Sequence, residues 1–396
     1  MSQRYLSLPL LLATVSLARA QSGGDAASQT SRFSSEFNPA FSFVVDGALR
    51  WSEPFGSDEG LDLELRTFEL GANAWIDPSA WAYFIGAVED EAVNVEEAAV
   101  HYSGLGGGNV VRAGRFFIDF GRQMQVHQHE LRTFERPLAL RALLGAEING
   151  DGLQWDDWIA AGDATVVRWS LAALSGTLPE PEEEFDSELE PVRETRSARD
   201  LADLEFTARA TAITDLSESS TLQFGLSMRG VPSYDAYYEA DDTLREDDLA
   251  MYVYGGDLSY TWTGETGERK LELGAEALFA TGDSGVELVN PTPGGPTGDE
   301  TLVVRDHDLA GGFAWAKFAF DRFHSIGAQY SRVEMPFDGA PDADEWELDV
   351  TRAFSEFHRL RLALIFFDGP DTGDTSTTLA LQYTAIAGAH GHGINW

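Results

Sequence analysis

From residue 41 onward, apolar and polar residues alternate with a period of two along most of the chain. Between Leu61 and Ile76, Phe68, Leu70, Ala72, Ala74 and Ile76 share one face, and Glu69, Gly71, Asn73 and Trp75 share the other. Side chains on a strand point alternately to opposite faces, so this period predicts strands rather than helices. The pattern recurs in Leu204/Phe206/Ala208/Ala210/Ala212, Leu222/Phe224/Leu226/Met228, Leu271/Leu273/Ala275/Ala277/Phe279 and Leu360/Leu362/Leu364/Phe366. Polar residues fall between them, among them Glu205, Arg209, Glu272 and Glu276. Strands are predicted over 41–51, 61–76, 81–88, 93–103, 109–117, 151–159, 164–174 and 202–213. Eight more follow over 221–230, 249–262, 270–280, 309–320, 325–333, 345–353, 360–368 and 377–385.

The links between these sixteen strands alternate in length. Short ones lie near 77–80, 104–108, 160–163, 214–220, 263–269, 321–324 and 354–359. Mostly longer ones lie near 52–60, 89–92, 118–150, 175–201, 231–248, 281–308, 334–344 and 369–376. An even strand number with short turns at one end and longer loops at the other is the arrangement of an outer-membrane barrel. The predicted fold is therefore all-β: a transmembrane antiparallel β-barrel of about sixteen strands, spanning 38–396, with an inward-folded third external loop. Glu205, Arg209, Glu272 and Glu276 are expected to face its lumen. Trp51, Trp75, Trp81, Trp262, Trp315, Phe320, Trp346 and Phe366 fall near predicted strand ends, where membrane interfaces favour aromatics.

The ends of the chain fit this picture. Arg4, an apolar run over Leu6–Leu17 and Ala18-Arg19-Ala20 predict a cleaved export signal over 1–20. Losing Arg4 and Arg19 and no acid would move the net charge from −39 to −41. Residues 21–37 are rich in Ser, Gly and Ala and read as a flexible segment. The final Trp396 resembles the aromatic end by which the barrel assembly machinery takes up its clients. No run of 18 apolar residues predicts a spanning helix. The absence of cysteine excludes disulfides and thiolate metal sites. The strong negative charge excludes nucleic acid as partner, because phosphates would be repelled. It also suggests cations or metal complexes among the small hydrophilic solutes.

The third long link breaks the acidity. Arg115, Arg122, Arg132, Arg136 and Arg141 face only Asp119, Glu130 and Glu135 before Glu147. Pro137 followed by Leu-Ala-Leu-Arg-Ala-Leu-Leu and Gly145 predicts a short helix. A link this long folds on something. Folded into the lumen, Arg115, Arg122, Arg132, Glu135, Arg136 and Arg141 would form a constriction opposite acids such as Glu96 and Glu97. There they would either orient charged solutes or tie the loop to the wall.

Histidines add a second candidate chemistry. His127-Gln-His129-Glu130 places two imidazoles on one side of an extended segment beside a carboxylate, and His390-Gly-His392 repeats the spacing. Zinc accepts such ligands, although a loop histidine is most often just a polar side chain.

Gly114-Arg115-Phe116-Phe117, His127-Gln-His129-Glu130, Phe134-Glu-Arg-Pro-Leu138, Arg141-Ala-Leu-Leu-Gly145 and Gly150-Asp-Gly152 resemble a porin-like bacterial outer-membrane family. Its members often carry the label zinc-regulated TonB-dependent outer-membrane receptor. Phe37-Asn-Pro-Ala40, Val95-Glu-Glu-Ala98 and Gly388-Ala-His390-Gly-His392 extend the resemblance. It implies an exported barrel and a link to zinc, with His127, His129, His390 and His392 as ligands. A plugged receptor needs 22 strands and a long leading domain, so a passive channel is the expected function. A plug-free zinc-linked receptor and a structural or adhesive barrel are the alternatives. No cofactor is required, zinc being the candidate metal. The expected partners are membrane lipid and, by analogy with porins of this size, two further copies in a homotrimer. No G-x-S-x-G, P-loop or H-E-x-x-H motif points to catalysis.

Overall fold

The computed structural model describes residues 39–53, 60–89, 92–145, 147–176, 192–194, 200–238, 241–283, 285–289, 301–305, 308–335, 342–369 and 375–388. The expected export signal, the 21–37 segment, His390, His392 and Trp396 lie outside the described residues.

Sixteen strands form one closed antiparallel barrel. In chain order they are β1 Ala40–Glu53, β2 Gly60–Asp77, β3 Ala80–Glu89, β4 Ala92–Tyr102, β5 Val110–Phe117, β6 Asn149–Ala160, β7 Thr165–Ser175 and β8 Glu205–Ser217. The second half is β9 Ser220–Tyr238, β10 Asp241–Thr263, β11 Lys270–Gly282, β12 Leu309–Ala319, β13 His324–Val333, β14 Ala343–Ala353, β15 His358–Asp368 and β16 Thr375–Gly388. Each pairs with the next, and β16 closes on β1 from Ser42↔Gly388 to Glu53↔Thr377. Among the described residues, closure leaves the barrel itself no edge strand with unpaired backbone groups, which a hydrocarbon layer would not tolerate. Among the described residues no helix is long and apolar enough to cross a membrane.

Burial follows the alternation. On β14, Glu345, Glu347, Asp349 and Thr351 point inward and are buried, while Trp346, Leu348 and Val350 point outward and are exposed. Leu226, Leu258, Leu273, Leu362 and Leu381 share that outer surface. In water, each would forgo about 1.5–3 kcal/mol of burial, so this girdle requires lipid around it. Glu205, Arg209, Glu272 and Glu276 face inward as expected; Glu205, Arg209 and Glu276 are buried in the lumen.

The main apolar core lies inside the barrel. Phe116, Ile118, Phe120, Met124, Leu138, Leu140, Leu143 and Ile148, from β5 and the loop after it, cluster with inward residues of several strands. Ile85 on β3, Val231 and Tyr234 on β9, Val253 on β10, Phe313 and Trp315 on β12 and Val333 on β13 complete the cluster. Trp315 therefore departs from its expected place at the membrane interface: it has the same parity as Phe313 and faces the lumen. Trp81 likewise packs against this core and stacks on Tyr83 at 5.0 Å.

A second departure is the predicted loop over 231–248. β9 and β10 continue through most of it, pairing from Val231↔Met251 to Tyr238↔Asp241. Acidic residues there suggested solvent, but Val231, Tyr234 and Ala236 are buried and hold the strand.

Two bulges re-aim side chains. Asp46 pairs with Thr67 but Gly47 with Leu65, leaving Arg66 as an extra residue on β2. Ile85 pairs with Glu97 but Gly86 with Val95, leaving Glu96 extra on β4. An extra residue breaks strict alternation, so Arg66 and Thr67, and likewise Glu96 and Glu97, are buried side by side.

Candidate functional site

The segment from Ile118 to Ile148, leaving β5 and returning at β6, is bonded to inward-facing residues around most of the barrel wall. Its entry is set by Gly121, whose φ of 55° is left-handed. The amide of Gly121 donates to Ser227 Oγ at 3.0 Å, and that of Arg122 to Glu276 Oε2 at 3.0 Å. A Cβ on Gly121 would lie 1.9 Å from Glu276 Oε1. Gly121→Ala is therefore expected to weaken the seating of the loop by about 1–2 kcal/mol from the backbone alone. Faster proteolytic cleavage within 118–148 of the folded barrel is the check.

Farther along, the acids of β14 take the loop. Glu347 accepts from the amides of Phe134 at 2.5 Å and Glu135 at 3.3 Å, and Glu345 accepts from Arg141 at 2.5 Å. From β15, Arg361 donates to the carbonyls of Leu131 and Thr133, and Arg359 to that of His129. From β2, Arg66 donates to Phe134 O at 2.8 Å and Glu135 at 3.2 Å, its guanidinium lying over the Phe134 ring. The predicted helix forms as α1, Leu138–Leu144, with Gly145 at φ 93° after it. Ala139 at its start donates to Ser331 Oγ on β13.

The six expected constriction residues separate into four groups. Arg136 and Arg141 are buried staples: Arg136 donates to the carbonyls of Gln123 and Val126 and to Glu147, and Arg141 to Arg136 O and Glu345. Glu135 is held by Arg66. Arg122 and Arg132 face open space, Arg122 reaching Gln223 at 2.7 Å and Arg132 reaching Glu272 at 3.4 Å. Arg115 does not belong to the constriction. It shares the outward parity of Leu153 and Trp155 across β5 and β6, and its ion pair with Asp151 is 39% and 61% exposed. The expected partnership of the loop arginines with Glu96 and Glu97 is not made; those acids take His127 instead.

Arg122 and Arg132 border a cavity of about 450 Å³ between the loop and the short-turn end of the barrel. Arg122, Arg132, Arg168, Arg209, Lys317 and Arg359 line it, against the carboxylates of Asp119, Glu130 and Glu272. Asp119 is shared by Arg168 at 2.6 Å and Arg209 at 3.6 Å. Burial alone would push the Asp119 carboxyl up, but these two arginines hold it below the usual range. Burial, and then repulsion from Arg132 and Arg209, push Arg122 down to about 10, a sign of crowded cations.

The histidines build a different constellation from the one their spacing suggested. Nδ1 of His127 lies 2.8 Å from Glu96 Oε2, and Nε2 lies 3.0 Å from Glu97 Oε1. Nδ1 of His129 lies 2.6 Å from Glu69 Oε1. All five side chains are buried. Burial disfavours the imidazolium of His127, but the bonds to Glu96 and Glu97 outweigh it and raise its pKa well above the usual value. One ligand atom each from Glu69, Glu96 and His127 lies within 4.8 Å of the others. Glu130 is not in this cluster; it lines the cavity instead. Glu69 and the bulged Glu96 were missed as partners. The adjacent acids inside the predicted strand 93–103 were the available signal, since only a bulge lets both face inward.

Solved structures place this architecture. A loop-deleted form of OmpT, an outer-membrane protein of Vibrio cholerae, matches at TM-score 0.56 and 13% identity, over 89% of this chain and 100% of that one. The anion-selective porin of Comamonas acidovorans matches at TM-score 0.56 and 12% identity, over 89% and 100%. DcaP, an outer-membrane channel of Acinetobacter baumannii, matches at 0.52 and 10%, over 89% and 99%. The fold is that of an outer-membrane porin. The outward apolar girdle of the barrel fits that fold, which is one made to be surrounded by lipid. No known family profile matches the sequence, and neither does any curated protein. The resemblance to the zinc-regulated receptor family finds no support in these comparisons, and the porin barrel stands in its place.

Proposed function

We propose that this porin-like barrel passes small hydrophilic solutes passively and that its lumen favours small anions over cations. The observation that carries this reading is the cavity lining: six cationic heads to three carboxylates, in a chain with 66 acids and 27 bases. Several acids of the inner wall are engaged elsewhere, Glu345 and Glu347 with the loop and Glu69, Glu96 and Glu97 with histidine, while Asp156 and Asp257 pair with Arg168 and Arg209 from behind the cavity lining. The excess of cationic heads along the lining lowers the energy of an anion there. The cavity holds about fifteen waters' volume, room for a small organic anion and part of its hydration shell. The net charge of the whole chain is a poor guide here, because local charges within one Debye length dominate.

The test is the reversal potential of the refolded protein in a planar bilayer under a KCl gradient. Chloride preference is expected. Two unit charges 4 Å apart interact by about 1 kcal/mol even in water, and neutralising a cation shifts the two ions in opposite directions, so Arg122→Gln or Lys317→Gln is expected to move the selectivity ratio about thirtyfold toward potassium. Potassium preference in the unaltered protein would overturn the anion reading, and absence of conductance the channel reading. A homotrimer is the proposed assembly, supported by the trimeric form in which OmpT of Vibrio cholerae has been solved; light scattering of the detergent complex reads it directly.

A further inference from the structure

We propose that Glu69, Glu96 and His127 form a binding site for one divalent transition-metal ion, zinc being the fitting probe, which clamps the inward loop to β2 and β4. The three residues come from three separate segments and converge only in the folded barrel. Their ligand atoms lie within 4.8 Å of one another, close enough to contract onto an ion with bonds of about 2.0–2.2 Å. Imidazole nitrogen with two carboxylate oxygens is a donor set suited to zinc and its neighbours.

The surroundings have the form a metal site needs. The imidazole of His127 presents both nitrogens to carboxylates, at 2.8 and 3.0 Å. A neutral imidazole has a single N–H, so the second of those contacts requires a positive charge there, from a proton or from a metal ion. A metal ion on Nδ1 supplies it and leaves Nε2–H donating to Glu97. That carboxylate–imidazole–metal relay fixes the ring and raises its basicity. His129 does the same for the second ligand, its Nδ1 bonding Glu69 Oε1 at 2.6 Å while Glu69 Oε2 faces His127 at 3.9 Å. Glu97 and His129 are thus positioning residues rather than ligands. His129 also borders the lumen cavity, so that cavity reaches the edge of the site. Three protein ligands leave a fourth position for water. The site does not depend on the channel reading, since binding can be measured without conductance.

The experiment is calorimetric titration of the full chain in detergent, stripped with chelator, with zinc sulfate at pH 7. One saturable site per chain is expected. Glu96→Gln and His127→Ala are each expected to weaken it more than tenfold. Glu97→Gln should weaken it by about 10–100-fold while keeping the stoichiometry. A chain with both His390→Ala and His392→Ala should retain the site. Heat-modifiable migration reports whether each variant is folded; if His127→Ala is not, the isosteric Glu96→Gln decides. Absence of a saturable zinc site overturns the proposal, as does zinc binding unchanged in Glu96→Gln. Calcium or magnesium binding as tightly as zinc overturns the assignment to a transition metal.

Discussion

Replacing Arg361 with alanine is expected to unseat the inward loop and raise the single-channel conductance. Arg361 is fully buried on β15, at 0% exposure. It donates to the carbonyls of Leu131 and Thr133, to Gln382 Oε1 at 3.0 Å, and lies 4.0 Å from Asp349. Removing it strands two loop carbonyls and a buried carboxylate at once. Breaking a buried pair by deleting one partner costs about 3–5 kcal/mol, and the carbonyls add to that. The loop has other anchors on β2 and β14, so the barrel closes while the segment around Leu131–Thr133 lifts. Larger and noisier current steps, with the folded band surviving on unheated gels, are the expected record. Lysine at this position restores the charge without the fork of donors and is expected to rescue only part of the effect. Unchanged conductance in the alanine variant would show that this segment does not narrow the lumen.

The second large effect lies on the opposite face of the same wall. Leu348 is central in β14 and 48% exposed on the outer surface, directly between the inward Glu347 and Asp349. Leu348→Arg is expected to destabilise the barrel by about 2–4 kcal/mol in lipid, the cost of an arginine near the bilayer midplane. Denaturant unfolding from liposomes, compared with Leu348→Ala, measures it. The same arginine on a loosely packed inward position of the lumen would find water and acids. Adjacent residues on one strand thus differ in what they tolerate because they face different solvents. A small effect for Leu348→Arg would place β14 outside the hydrocarbon layer.

Strand number and approximate bounds were legible because lipid and lumen impose a period of two on each strand. The helix Leu138–Leu144 was legible because proline and glycine punctuate a run of strong helix formers. The loop partners were not. Phe134 meets Glu347 and His127 meets Glu97 across large stretches of sequence, and no local spacing encodes which wall a loop reaches. Bulges hid the rest. Arg66 and Glu96 each appear as an interruption of the alternation, and only the pairing of neighbouring strands shows that both turn inward. Arg115 misled for the opposite reason: its charge suggested the lumen, while its parity with outward Val111 and Ala113 placed it outside. Lumen or lipid is decided by parity and bulge count, not by residue type.

The interior core carries a consequence for how the chain is made. Phe120, Met124, Leu138 and Leu143 are synthesised long before Phe313, Trp315, Val333 and Arg361, on which they and their neighbours come to rest. Contacts this remote in sequence slow folding, and apolar side chains without partners invite aggregation in the interval. The first half of the barrel therefore carries apolar side chains that need shielding until the second half arrives. When β16 meets β1, the seam closes a wall whose inner lining is shared between the earliest and the latest residues of the barrel.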